Sequence, residues 1–275
     1  MLSVKWILIV IVIWATYNCQ AQDKRIHRKG EFYFSWGYNK DWYTKSTVKI
    51  SQPDLGNKYQ FKIVSGHDHP GWDEKDFFSK DLTIPQYNYR LGYFFNNKKN
   101  LGVEINFDHT KFIITNGQSV KIIGNLNNRF TDSSLIFSEE NGFFYYLNNG
   151  ANFLLFNIVK RWQWYQNKNI KIDLLVKAGI GPVIPHVENN FFGQRNNPGF
   201  QFGGWNTGTE GVIRTTFLNH VYVEFSGKLD YARYSNLKIY KGAAKHAFGT
   251  AEVILSIGYT FKQGGYTKQK RKIRE

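Results

Sequence analysis

Apolar and polar residues alternate along much of this chain. Between 221 and 233, Val221, Val223, Phe225, Leu229 and Tyr231 take the odd positions. Glu224, Ser226, Lys228 and Asp230 take the even ones. Between 251 and 261 the odd set is Val253, Leu255, Ile257, Tyr259 and Phe261, interleaved with Glu252, Ser256 and Thr260. The same period marks 32–39, 87–94, 101–109 and 170–180. Weaker versions cover about 145–158 and 203–217. Successive strand side chains point to opposite faces, so each run predicts a strand with one oily and one polar face. Eight such strands are expected.

A two-faced strand has two physical settings. In a water-soluble sheet the oily face packs on a core. In an outer-membrane barrel it meets lipid, and the polar face lines the interior. The connections decide between them. Those at 96–100, 160–169 and 218–220 are short, and those at about 43–84, 115–144, 185–202 and 235–245 are long. Short and long alternate, as they do between the two sides of a membrane barrel. The expected fold is therefore all-β: a closed antiparallel eight-stranded transmembrane outer-membrane barrel with a long first extracellular loop. Within that loop "STVKIS" and "KYQFKIVS" are expected to pair as a hairpin. Tyr87, Tyr89, Tyr93, Trp162, Trp164, Tyr165, Trp205, Tyr231, Tyr259 and Phe261 fall near strand ends, where amphipathic rings favour a membrane interface.

Composition agrees with strands. Aromatic residues make up 17% of the 275 positions. The start, "MLSVKWILIVIVIWATYNCQAQ", has one early lysine, a short apolar run and small residues near Ala21. It reads as a signal peptide over 1–21, cut near Ala21. Residues 22–30 are then a periplasmic segment, 31–261 the barrel and 262–275 a basic periplasmic tail. Cys19 is the only cysteine, so thiolate chemistry and disulfides are excluded from the mature chain. The expected location is the outer membrane of a Gram-negative bacterium.

The net charge of +15 falls mostly on the termini and short turns, and the connections at 43–84 and 111–142 are close to neutral. The expected partners are membrane lipid and lipopolysaccharide, with acidic envelope polymers along the basic periplasmic rim. No nucleic-acid partner is expected, because no recognised reading motif is present. Parity sends Arg90, Lys171, Lys177, Arg214 and Lys228 inward with Glu104, Asp108, Asp173, Glu210, Glu224, Asp230 and Glu252. Eight strands enclose a space that side chains can fill. These ions are expected to form a packed lumen network rather than a channel, with a small pore as an alternative.

Candidate chemistry is sparse. His67 and His69 could contribute to a metal site but lack a third fixed ligand. No nucleophile elbow or phosphate loop occurs, and no cofactor is expected. "YARYSN" at 231–236 resembles the H-x-S-N segment of the lipid A 3-O-deacylases, which are eight-stranded outer-membrane barrels. That resemblance implies an acyl-ester hydrolase at the outer rim, with Ser235 as nucleophile and Glu252 in the place of the acid. Arg233, however, stands where the family has its base, and a guanidinium cannot take a proton. His246 is the other nearby candidate. More widely, "FSWGYNKDWYTKS", "LTIPQYNYRLGYFF" and "NFDHTKFII" resemble an uncharacterised family of bacterial envelope barrels, which implies location and fold but no activity. The expected role is structural or surface-interacting. The alternatives are a lipid-modifying hydrolase, a small pore and a soluble secreted sandwich or sugar-binding module.

Overall fold

The computed structural model describes residues 30–69, 86–95, 100–140 and 142–262. The expected signal peptide at 1–21 lies outside the described residues, as do the expected periplasmic segment up to 29 and the expected basic tail from 263. Among the described residues seventeen strands occur, with one 3-10 turn at Pro53–Leu55. They are β1 (Glu31–Tyr43), β2 (Ser46–Gln52), β3 (Asn57–Val64), β4 (Gly66–His67), β5 (Tyr87–Phe94) and β6 (Leu101–His109). Next come β7 (Phe112–Ile114), β8 (Ser119–Leu126), β9 (Arg129–Ile136), β10 (Phe144–Leu147), β11 (Phe153–Gln166) and β12 (Ile170–Pro182). The last are β13 (Glu188–Phe191), β14 (Gln194–Asn196), β15 (Gly204–Phe217), β16 (Val221–Ile239) and β17 (Gly242–Lys262).

Two regions share these strands. In the first, the wall, antiparallel pairing passes along β1, β5, β6, β11, β12, β15, β16 and β17, and β17 also pairs with β1. The registers align like faces: Ile213 lies opposite Phe225, Phe225 opposite Leu255, and Trp36 opposite Ile257. The outer face is apolar and open. Phe225, Leu255 and Ile257 are each 54% exposed, and Ile158 is 67% exposed. On the inner face, Arg90, Glu104, Asp108, Lys177, Glu210, Arg214, Glu224 and Lys228 are buried. This reverses the usual placement, in which charged side chains meet water and aliphatic ones do not.

The second region, the cap, follows the usual rule. Beyond the wall, β17 pairs with β2 through Ala244 and Ile50, and the sheet continues into β3, β8 and β9. A second sheet runs β14, β13, β10, β7, β4. Between them sits a buried apolar core that includes Val48, Ile50, Phe61, Phe112, Ile122, Tyr145, Phe191 and Phe248. Phe61 lies at its centre, with ring centroids 5.2 Å from Phe137, 5.5 Å from Phe143 and 5.6 Å from Phe191.

The sequence reading needs four corrections. The run at 145–158 is not one strand: Tyr145 and Tyr146 belong to β10 in the cap, and the wall strand β11 begins at Phe153. The supposed connection at 160–169 is mostly strand, since β11 reaches Gln166. A register shift between Gln163 and Tyr165 breaks the alternation there and hides the strand from a period-two search. The supposed loop at 235–245 is the top of a hairpin, where β16 and β17 turn through Tyr240 and Lys241. The connection at 115–144 contains the paired strands β8 and β9. The hairpin expected in the first loop is formed by β2 and β3, with Val48 opposite Phe61.

Candidate functional site: a buried ionic interior beneath the cap

The inner face of the wall brings most of the sequence-selected ions together. Arg90 Nη2 lies 3.2 Å from Glu210 Oε2 and 3.6 Å from Asp108 Oδ1. Arg90 also donates to Asn88. Lys177 Nζ lies 2.9 Å from Glu104 Oε2 and 3.5 Å from Glu210 Oε1. Lys228 pairs with Asp108, lies 2.8 Å from Asp230 and 3.5 Å from Glu252. These eight charged side chains come from six strands and form one network. Two further pairs lie on the same face: Arg214 Nε donates to Glu224 Oε1 at 2.6 Å, and Lys171 pairs with Asp173. Removing ions from water is tolerable only when each finds opposite charge and hydrogen bonds. Parity along each strand places them inside, and the antiparallel registers set which ions meet.

An aromatic layer continues this interior toward the chain ends. Tyr33, Phe94, Val159, Leu175, Val212 and Tyr222 form a second buried cluster. The Arg214 guanidinium sits 4.1 Å from the Tyr222 ring centroid and 4.3 Å from that of Tyr33. Tyr33 Oη donates to Glu104 Oε2 at 2.8 Å, tying the layer to the ions. Arg161 packs 3.8 Å over Phe94 and reaches Glu31 at 2.8 Å. The sequence reading missed Arg161 and Glu31 because it placed Arg161 in a turn.

At the cap end, Asp41 closes the interior. It accepts from Asn39 and Gln86 at 3.0 Å each, from Tyr43 at 3.1 Å, and from Thr110. Asp68 accepts from Lys40 Nζ at 2.8 Å and from the Asp41 backbone at 2.7 Å. Within "HDH", then, it is the aspartate that is built into the structure. His67 extends the small sheet in β4, with Nδ1 3.4 Å from Thr115 Oγ1. The His69 backbone donates to Gln86. Among the described residues, no group of three His, Cys, Asp or Glu side chains is placed to hold a metal ion.

The hydrolase candidates do not meet as a pair. Ser235 lies where β16 bulges, between Tyr234 and Leu237, rather than at a strand end. Its neighbour Asn236 takes φ 53°, a left-handed value that asparagine tolerates. His246 is buried among aromatic rings, stacked 4.9 Å from Tyr234. Its Nε2 faces Tyr145 Oη at 3.1 Å and its Nδ1 faces Ser46 Oγ at 3.3 Å. Both ring nitrogens are therefore engaged away from Ser235. Burial drives its pKa down to about 3, so the imidazole is neutral. Glu252 stands in the interior beside Lys228. His109 stacks on Tyr87, and its Nδ1 lies 2.8 Å from Asn152 Oδ1.

No family model matches the chain, and no curated protein matches it. Solved structures that it is similar to include the outer membrane protease OmpT from Escherichia coli, at 9% identity and a TM-score of 0.38, covering 87% of this chain and 100% of that one. The outer membrane protein OprG from Pseudomonas aeruginosa is 10% identical, with a TM-score of 0.37 and coverage of 86% and 98%. The attachment protein Ail of Yersinia pestis, in complex with a heparin analogue, is 14% identical, with a TM-score of 0.31 and coverage of 85% and 99%. Likeness this slight carries no inference about activity or location.

Proposed function

We propose that the chain is an outer-membrane barrel with a structural or surface-interaction role. Its eight wall strands close into a transmembrane ring, its interior is filled rather than conducting, and its long connections fold into an extracellular cap. The observation that carries this reading is the inverted wall: aliphatic and aromatic side chains exposed outside, paired ions buried within. Water as the outer solvent would make such a wall costly, at roughly 25 cal/mol for each Å² of apolar surface left exposed. Hydrocarbon removes that cost.

Dimensions support the same reading. Outward apolar residues on β16 run from Val221 to Tyr231. At ~3.3 Å per residue and a ~45° tilt that band stands roughly 23 Å tall, near the ~25 Å belt of membrane barrels. Aromatic residues sit toward both ends of the wall: Phe32, Phe217, Tyr259 and Phe261 near one, Trp42, Trp205 and Tyr231 near the other. Detergent-dependent solubility, with a heat-modifiable gel shift, tests membrane integration. Conductance in a planar bilayer tests the filled interior, and a steady ohmic current would contradict it.

A further inference from the structure

Nearly neutral connections conceal a segregated charge pattern. On the cap sheet, the buried positions of β2, β3, β8 and β17 feed the apolar core. The alternate positions carry Lys49 on β2, Lys58 and Lys62 on β3, Lys121 on β8 and Lys245 on β17. Lys238 and Arg233 on β16 extend this face. All seven are exposed. Among the outward positions of these strands and β9, a single carboxylate, Asp132, faces them, 3.0 Å from Lys121.

The registers concentrate the charge further. Lys245 is directly opposite Lys49, and Lys62 is directly opposite Lys121. Like charges facing each other across an antiparallel pair destabilise a sheet. Two such pairs on one exposed face are a standing cost that an external anion would relieve. Position narrows the anion. On β16 the outward series Val221, Val223, Phe225, Leu229, Tyr231 leads straight to Arg233. On β17, Val253, Leu255 and Ile257 share their face with Lys245. One surface therefore changes from apolar to cationic along the same two strands. Its complement is an amphiphile with acyl chains below and a phosphorylated headgroup above.

We propose that the outward face of β16, β17, β2, β3 and β8 binds the phosphorylated headgroup of a lipid in the surrounding leaflet. This rests on the membrane reading above. Acyl chains lie along the apolar half of β16 and β17, and the phosphates lie among Arg233, Lys238, Lys245, Lys49 and Lys62. Anionic ligands with several charges suit the opposed lysine pairs best, because one phosphate bridging two ammonium groups replaces repulsion with attraction.

The test uses the full mature chain folded in an uncharged detergent and in phosphatidylcholine vesicles. The probes are a bisphosphorylated glucosamine-based lipid, its dephosphorylated counterpart and soluble inositol hexakisphosphate. The variant Lys49→Gln/Lys62→Gln/Lys238→Gln/Lys245→Gln changes only exposed side chains. We expect the phosphorylated lipid to raise the wild-type Tm and to bind at least tenfold more tightly than its dephosphorylated form. The variant should lose that preference while keeping an equal or higher Tm in detergent alone. Equal binding of the two lipids, or an unchanged preference in the variant, would overturn the proposal. Stabilisation by the soluble polyanion that matches the lipid's would also overturn it, and would assign the face to a soluble acidic polymer. Flotation with neutral vesicles separates the two readings. A chain that fails to insert refutes the membrane reading, whereas one that inserts but ignores phosphate refutes only this site.

Discussion

The wall and the cap draw on the same side-chain classes and place them on opposite faces. In the cap, Phe61 and Ile122 are buried and Lys62 and Lys121 are exposed. In the wall, Leu255 and Phe225 are exposed and Glu252 and Lys228 are buried. Strand β17 passes through both regions without a change of parity, and β16 keeps its parity up to the bulge between Tyr234 and Leu237. Along β17, Phe248 and His246 point into the apolar core, and Glu252 and Ser256, on that same face, point into the ionic interior. Period two sets which face a residue takes. The surroundings of that face set which residue suits it.

Five substitutions, one of them read in an acid titration, would break or sharpen this contrast. The largest effect is expected in the cap core, where Phe61→Ala removes a ring from a crowded aromatic cluster. It should cost about 3–5 kcal/mol and melt the cap before the wall, read by hydrogen exchange in β2, β3 and β8. In the wall interior, Glu104→Ala leaves Lys177 and Arg90 short of a counter-ion and takes an acceptor from Tyr33. A loss of about 3–5 kcal/mol is expected in denaturant titration, since an uncompensated buried charge remains. On the wall exterior, Leu255→Arg should cost about 2–4 kcal/mol in a bilayer, whereas a water-facing position would show almost none.

Acid separates the two regions in another way. His246 has its pKa depressed to about 3 in the folded cap. An unfolded chain takes up that proton near pH ~6.5. The unfolded state therefore binds more protons below that value, and cap stability falls as the pH drops from ~6.5 toward 3. By pH 4.5 this one group removes roughly 2–3 kcal/mol. His246→Gln should flatten that slope in a near-ultraviolet circular dichroism titration. The smallest effect belongs to Gln60→Thr on the outward face of the cap sheet, expected within about 0.5 kcal/mol of wild type. A large loss there would mean that this face is covered.

Much of the wall was legible because alternation is uninterrupted in β17, β6 and β5, and in β16 as far as Tyr234. Eight of the twelve sequence-selected ions lie in the connected ion pairs around Arg90, Lys177 and Lys228, and Arg214 with Glu224 forms a pair beside them. Lys171 and Asp173 form a separate pair. Parity alone suffices for that placement. Wall strand β11 was harder, because the register shift near Gln163 and Tyr165 interrupts its period. The cap was the main omission. Its strands are short, and β4 and β7 have only two and three residues. Their oily faces are buried against sequence-distant partners such as Phe61 with Phe191, which no local pattern announces. Net charge also misled. The first long connection sums to near zero, yet Lys49, Lys58 and Lys62 share one face of a sheet.

The central claim is that the outward side chains of the wall touch acyl chains. Since Cys19 is the only cysteine in the sequence, single cysteines can be introduced at 253 through 257 of a Cys19→Ser chain and spin-labelled. In phosphatidylcholine vesicles, labels at 253, 255 and 257 should be relaxed strongly by oxygen and weakly by a water-soluble nickel chelate. Labels at 254 and 256 should be shielded from both. Strong nickel relaxation at 255, in a protein that stays dissolved without detergent, would contradict the account.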